Sequence, residues 1–441
     1  MRRALVFGVM LAASLGLAAD RVASAGQLIA PPQATPTPAP QPAPMVRLSF
    51  DEAVARALAR NPTVQIAATN ITRAEALLQQ ARSLVLPNIG ASVTNVTLNT
   101  GTAFQGQTIT PQSQVIFGAA FSMPFLAPAQ WAAVTQARDQ IEVSKKELLE
   151  SRQQIAVAAA QAYLAVISAK RQAEVESRAL DNAKAHLDYA QKRLEGGVGS
   201  RLNQLRAAQE ASTEQTRLEA VELAVVQAQN ALGVLVVEDG PVDVGAEPAF
   251  EVPPPSPESD WMALRPDIQF QQSVISAASR VVEDSWKDYL PVGTAQWTPQ
   301  TVAPAGIFAP VRSWRLTLVV NEAVYEGGQR KALKALRQVT LDQSKLQLTS
   351  LQIQARADVR NARSSLASAE RALVSAQAAS DQANQVLTIT TQAFEVGATT
   401  NLEVIDAQRQ ARDTDTARAL AEDLVRRSRL DLLVALGRFP Q

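Results

Sequence analysis

Very few side chains in this sequence are suited to covalent or redox chemistry. His186 is the one histidine and cysteine is absent. That excludes thiol catalysis, thiolate metal sites, disulfides and a lipidated cysteine, and it leaves a histidine-based metal site or triad without members. Carboxylates are plentiful but stand at helical spacing from cations, as Glu174 does from Arg178, which is the pattern of a solvated helix face. No Ser–His–Asp set, phosphate-binding loop, glycine fingerprint after a strand or Cys/His cluster is found. No enzymatic reaction, cofactor or metal is therefore expected, and His186 reads as an ordinary exposed residue of a long helix.

Charge points the same way. Lys plus Arg and Asp plus Glu both number 42 in 441 residues, so the basic excess of a nucleic-acid binder is missing. The start of the chain looks like an export signal over residues 1–25: Arg2 and Arg3, an apolar run from Ala4 to Ala19, then the small-x-small pattern Ala23-Ser24-Ala25. Residues 26–47 are rich in proline and read as an extended spacer. No later stretch has the ~18 uninterrupted apolar residues of a spanning helix, so a mature chain that enters a membrane must do so as strands.

The sequence then repeats itself. Asn61-Pro62-Thr63-Val64-Gln65 returns as Arg265-Pro266-Asp267-Ile268-Gln269, Leu86-Pro87 as Leu290-Pro291, and Leu194-Glu195-Gly196-Gly197 as Phe394-Glu395-Val396-Gly397. The first repeat covers residues 48–240 and the second 259–438, joined by a proline-rich linker at 241–258. Each is expected to begin with short helices. In the first, Ser49 and Glu52 form a capping-box pattern, and Asn61 with Pro62 opens a second helix.

Two strands follow in each repeat, at about 87–98 and 114–125, then about 290–298 and 311–322. Next come a very long helix, at about 128–195 and 328–395, and a shorter one, at about 201–233 and 401–436. The long helices are free of proline and glycine for about 67 residues, or about 100 Å. Ile141, Leu148, Ile155, Ala162 and Ala169 recur every seventh residue. After a four-residue step Ala173, Leu180, Leu187 and Leu194 resume the rhythm, as in a coiled-coil seam with a stutter. Leu366, Leu373, Leu387 and Phe394 repeat it, with Ser380 in the empty slot.

The strands carry the membrane signal. Phe117 and Phe121 alternate with small or polar residues, as do Trp314, Leu316 and Leu318 with Arg315 and Thr317; these five apolar residues are the candidate lipid-facing set. Eleven of the 20 aromatic residues fall within residues 104–131 and 286–325, which fits interfacial girdles. Four strands cannot close a barrel and open edges are not tolerated in lipid, so the chain must oligomerise.

This order of elements, with Leu48-Ser49-Phe50-Asp51-Glu52-Ala53, Leu264-Arg265-Pro266-Asp267, Tyr325-Glu326-Gly327-Gly328 and Phe394-Glu395-Val396-Gly397 followed by Leu402-Glu403-Val404-Ile405-Asp406-Ala407, resembles the TolC family of outer-membrane efflux proteins. The resemblance implies a mainly helical protein with membrane strands: a homotrimeric twelve-stranded β-barrel in the outer membrane, continued by a helical tunnel across the periplasm. It implies an exit duct for a tripartite efflux pump or a type I secretion system. The partners would be a periplasmic adaptor and an inner-membrane pump of RND, ABC or MFS type. It places an acidic gate at Glu403 and Asp406, with Asn203 and Arg206 at the corresponding place in the first repeat, so the ring would be thin. Where some relatives carry a latching arginine this chain has Thr399. Adaptor contacts would lie at the two turns, Gly196-Gly197-Val198 and Val396-Gly397-Ala398. The rival reading is a structural coiled-coil protein of the envelope without a channel.

Overall fold

The computed structural model describes residues 45–439. The signal expected at 1–25, and the proline-rich spacer as far as residue 44, lie outside the described residues. The first repeat runs β1 (Val46–Leu48), α1 (Phe50–Arg60), α2 (Pro62–Ser83), β2 (Asn88–Thr97), the short strands β3 (Thr102–Phe104) and β4 (Gln107–Thr110), β5 (Ser113–Leu126), α3 (Pro128–Glu195) and α4 (Arg201–Val236). The second runs β6 (Val242–Val244), α5 (Glu258–Leu264), α6 (Pro266–Glu283), a 3-10 turn, β7 (Val292–Ala303), β8 (Arg312–Asn321), α7 (Gln329–Glu395) and α8 (Asn401–Ala435).

The helix starts obey local chemistry. Ser49 Oγ accepts from Glu52 N–H while the Glu52 carboxylate accepts from Ser49 N–H, a complete capping box. Asn61 Oδ1 accepts from Thr63 N–H at 3.0 Å, and Pro62 fills the first helical position, where its missing N–H costs nothing. The long helices span 68 and 67 residues. Helices α1, α2 and α4, of 11, 22 and 36 residues, together about match α3 in length, and both α2 and α4 pack along it. In the second repeat α6 and α8 cover α7 in the same way, and α3 meets α8 to join the repeats.

The heptad reading needs correction. Of the nine predicted seam residues on α3 only Leu180 is fully buried; the others are half-buried. The buried set is a broader belt that includes Ala156, Ala159, Ala160, Tyr163, Leu164, Val166 and Ile167. Helix α3 touches α1, α2, α4, α6 and α8, so its apolar surface cannot be one narrow stripe. On α7 Leu366, Ser380 and Phe394 are buried and Leu373 and Leu387 half-buried, the rhythm as read.

The linker also holds more structure than its prolines suggest. Val242–Val244 pairs in parallel with Val46–Leu48, because Leu48, Val242 and Val244 drop into a core around Tyr163, Leu232 and Val236. Tyr163 is fully buried and donates to the Ala246 carbonyl at 2.8 Å, while Phe50 meets its ring edge-on. A second core joins Trp261 and Ile268 to Val359, Leu366 and Leu432. Both cores sit where the short helices lie against the long ones.

The four long strands form one antiparallel sheet in the order β2-β5-β7-β8, so the two repeats are stitched through β5 and β7. Strand β7 runs to Ala303, beyond the end expected at 298. Pro299 is accommodated because the β5–β7 ladder skips Thr298 and Pro299 between the pairs Gly118–Gln300 and Phe121–Trp297, so no ladder donor is lost on that side. Helix α4 has a mean hydropathy of 1.2 over an 18-residue window. It nonetheless holds Glu210, Glu214, Glu219 and Glu222 and lies along α3.

Candidate functional site: the strand face and the helical tip

Register decides what the sheet can do. Ile89 lies opposite Phe121, Phe121 opposite Trp297, and Trp297 opposite Leu316, giving one apolar row across all four strands. Met123, Ala295 and Leu318 make a second row on the same face. Phe117 and Trp314 share that face, paired with Val93 and Pro299. The opposite face carries the row Asn88, Ser122, Gln296 and Thr317. All five candidate residues thus fall on one side, and four of them are more than half exposed: Phe117 52%, Trp314 69%, Leu316 59% and Leu318 66%. Phe121 is half-buried because Trp297 covers it, ring centres 5.0 Å apart. Among the described residues, strands β2 and β8 keep free edges.

At the far ends of α3 and α7 the two turns are built alike. Val198 N–H reaches the Arg193 carbonyl and Gly197 N–H that of Leu194; Ala398 N–H reaches Ala393 and Gly397 N–H reaches Phe394. Both are Schellman closures, and each requires a left-handed residue, supplied by Gly197 at φ 76° and Gly397 at φ 80°. Gly196, Val198, Val396 and Ala398 are exposed there, Val198 at 72% and Val396 at 81%. At the position where Thr399 stands in the second turn, Gly199 leaves no room in the first: a Cβ on it would lie 2.5 Å from the Leu194 nitrogen. The Thr399 hydroxyl donates to the Thr390 carbonyl at 3.4 Å, so it closes its own turn.

Helix α8 begins immediately beyond. Thr400 Oγ1 accepts from Glu403 N–H, and the Glu403 carboxylate accepts from Thr400 N–H at 3.2 Å. Glu403 therefore caps its own helix while staying exposed, and Asp406 is exposed on the same face. Asn203 is half-buried in the first turn of α4, beside a cavity between the two turns.

His186 departs from expectation. It is 6% exposed, and its Nε2 lies 2.7 Å from Asn401 Oδ1, with the Phe394 ring 5.3 Å away. Burial pushes its pKa down, with the Asn401 hydrogen bond opposing. A helix position flanked by Lys184, Ala185 and Asp188 looks solvent-facing in isolation. The spacing Ala183, His186, Ala190 was the available signal, since these share the buried face.

Above the tip, α4 and α8 are tied by charge. Arg409 grips Glu210 with two bonds, at 2.8 and 2.5 Å, and Arg412 pairs with Glu214. Both members of the second pair are buried, at 7% and 4% side-chain exposure. Burial pushes the Glu214 carboxyl up against the opposing Arg412 charge, and Glu176, raised first by burial and then by Glu214, lies beside it. Glu210, Glu214 and Arg412 border a polar cavity of about 550 Å³ reached by α3, α4, α7 and α8. Sequence reading missed both pairs because they join residues almost 200 positions apart.

A family model described as outer membrane efflux protein matches residues 53–236 and 266–438 of this chain. Among solved structures, the outer-membrane protein VceC of Vibrio cholerae is similar at 18% identity, covering 88% of this chain and 96% of its own, with a TM-score of 0.73. The CmeC outer-membrane channel of Campylobacter jejuni matches at 15% identity over 88% and 85%, TM-score 0.77. The MtrE outer-membrane channel of Neisseria gonorrhoeae, solved in an open state, matches at 19% over 89% and 90%, TM-score 0.76. No curated protein matches by sequence.

Proposed function

The chain belongs to the outer membrane efflux protein family, and on that premise we propose that it assembles as a homotrimer into the exit duct of a tripartite efflux pump or a type I secretion system. It is an outer-membrane efflux channel and not an enzyme. The single observation that carries the finer reading is the sheet: four strands with free edges on both sides and one face that is apolar from edge to edge. Such a sheet is stable in lipid only when further copies close it, and three copies give twelve strands. Phe117, Phe121, Trp314, Leu316 and Leu318 then face lipid. The paired helices continue the barrel as a tunnel, Glu403, Asp406 and Asn203 ring its periplasmic mouth, and the turns at 196–198 and 396–398 meet the periplasmic adaptor. The adaptor and an inner-membrane pump of RND, ABC or MFS type drive transport, and the duct conducts passively.

The test is reconstitution. Purified protein should run as a detergent-stable, heat-modifiable oligomer and give single-channel conductance in planar bilayers. A stable oligomer that never conducts, or one soluble without detergent, would favour the envelope coiled-coil reading instead.

A further inference from the structure

We propose that the cavity between the two tip turns is an oxyanion-binding site for a phosphate-, sulfate- or carboxylate-bearing ligand. The cavity measures about 400 Å³ and is walled by both repeats, with Arg193, Asn203 and Arg206 from the first and Thr400 and Asn401 from the second. Its charge is one-sided: two guanidinium groups line it and no carboxylate does. Nearby Lys192 and Arg409 have acidic partners, Asp188 and Glu210, whereas among the described residues Arg193 and Arg206 have none. Arg193 instead rests over the rings of Tyr189 and Phe394, at 5.9 and 5.7 Å, which holds the cation without neutralising it.

Two helices also begin at this cavity, α4 after Ser200 and α8 after Thr400. Their N-termini add positive potential there. The independent observation is Asn401. It is 3% exposed; its Oδ1 is taken by His186, and its Nδ2 is buried without a partner among the described residues. An unmet buried donor is costly, and a ligand seated against Asn401 would supply the missing acceptor. Glu403, in the first turn of α8, has its carboxylate on the Thr400 N–H. The charged residues lining the cavity are thus all cations, with amide and hydroxyl groups beside them, a recognition set for an oxyanion. Because the donors come from both repeats, an occupied site ties the first turn to the second. A free periplasmic oxyanion and an acidic side chain of a docked protein present the same chemistry. The site does not depend on the duct reading and goes beyond it.

The experiment is hydrogen exchange on the full-length protein in detergent. Exchange at residues 196–206 and 396–402 is followed in inorganic phosphate, in N-acetylglutamate amide (a side-chain carboxylate alone), and in chloride of equal ionic strength. Several-fold slower exchange in phosphate alone supports a free oxyanion as the ligand. Slowing in the glutamate compound as well, or only there, supports an acidic side chain. Arg206→Gln, an exposed position that leaves the Arg193 stack in place, should abolish the slowing, and Arg201→Gln should not. No slowing in either solution overturns the proposal, as does slowing that survives in Arg206→Gln and in Arg193→Gln.

Discussion

His186 on α3 and Asn401 at the start of α8 are 215 positions apart in sequence and share a 2.7 Å hydrogen bond in a buried pocket beneath the tip. The bond joins the long helix of one repeat to the returning helix of the other. Replacing His186 by Ala strands the Asn401 amide on both of its sides, an orphaned buried group worth roughly 1–3 kcal/mol. The damage should stay local, because the large cores lie elsewhere. Hydrogen exchange at residues 394–406 should accelerate by about tenfold for each ~1.4 kcal/mol lost, with exchange around Tyr163 unchanged.

The same pair predicts a pH dependence. His186 faces Asn401 from α8 and Phe394 from α7, and Tyr189 and Arg193 of its own helix pack on that same Phe394 ring. The one charged group among these is a cation, and although the Asn401 hydrogen bond favours the imidazolium, burial outweighs it. Burial lowers its folded pKa, while the opened tip titrates near the usual value of about 6.5. The opened state therefore binds the proton better. Tip stability is fully present above about pH 6.5 and falls as pH drops through and below it. Exchange rates corrected for intrinsic pH effects should show this acid loosening in the native protein and not in His186→Gln.

A second contact between repeats is of a different kind. Arg412 and Glu214 are both buried, and Glu214 Oε2 has no partner of its own. Arg412→Met leaves the buried Glu214 carboxylate with only the more distant and half-exposed Arg217, at 3.5 Å, and removing one member of a buried pair costs at most roughly 3–5 kcal/mol. The double variant Arg412→Met with Glu214→Leu should recover most of that loss, since a matched apolar pair removes both desolvation costs. Resistance to denaturant, compared across the three proteins, checks the coupling.

On the strands, Leu318 lies in the row Met123–Ala295–Leu318 and Thr317 in the row Ser122–Gln296–Thr317, on opposite faces. An arginine facing mid-bilayer lipid costs roughly 2–4 kcal/mol, whereas a wet lumen accepts it. Leu318→Arg should therefore block assembly in the outer membrane and Thr317→Arg should not, as read by heat-modifiable oligomer in membrane fractions. Equal assembly of the two would remove the barrel assignment.

What could be read from the sequence, and what could not, follows from range. The capping box at Ser49 and Glu52, Asn61 with Pro62, and the glycine turns at Gly197 and Gly397 are written within a few residues of one another. Those helix boundaries fall where local chemistry puts them. The alternation through Trp314, Leu316 and Leu318 likewise declares a face without reference to any partner. The pairings that hold the repeats together are not local. Val242 gives no sign that it will lie beside Val46, and Glu214 none that Arg412 will reach it. A lone histidine among Lys184, Ala185 and Asp188 reads as solvated until α8 brings Asn401 onto it. The seam on α3 was misplaced for the same reason, since five neighbours, unknown from the sequence, widen its buried face.

The gate reading has a sharper test than simple truncation. Glu403 and Asp406 are three residues apart, exposed, and within about 15 Å of the Gly397 turn by helical rise. In a trimer each would supply three carboxylates around one axis, a focused negative potential that attracts cations and repels anions. Glu403 also completes the capping box with Thr400, so Glu403→Ala would remove a charge and loosen the start of α8 together, and a change in conductance could arise from either. Glu403→Gln keeps a side chain that can accept from Thr400 N–H, and Asp406→Asn keeps its shape. The double variant Glu403→Gln with Asp406→Asn should assemble normally, since exposed carboxylates contribute little to stability. In planar bilayers it should show reduced cation selectivity and weaker block by multivalent cations. If Glu403→Ala alters conductance while the double variant leaves selectivity and block unchanged, the effect belongs to the helix cap, and the two carboxylates lie outside the tunnel.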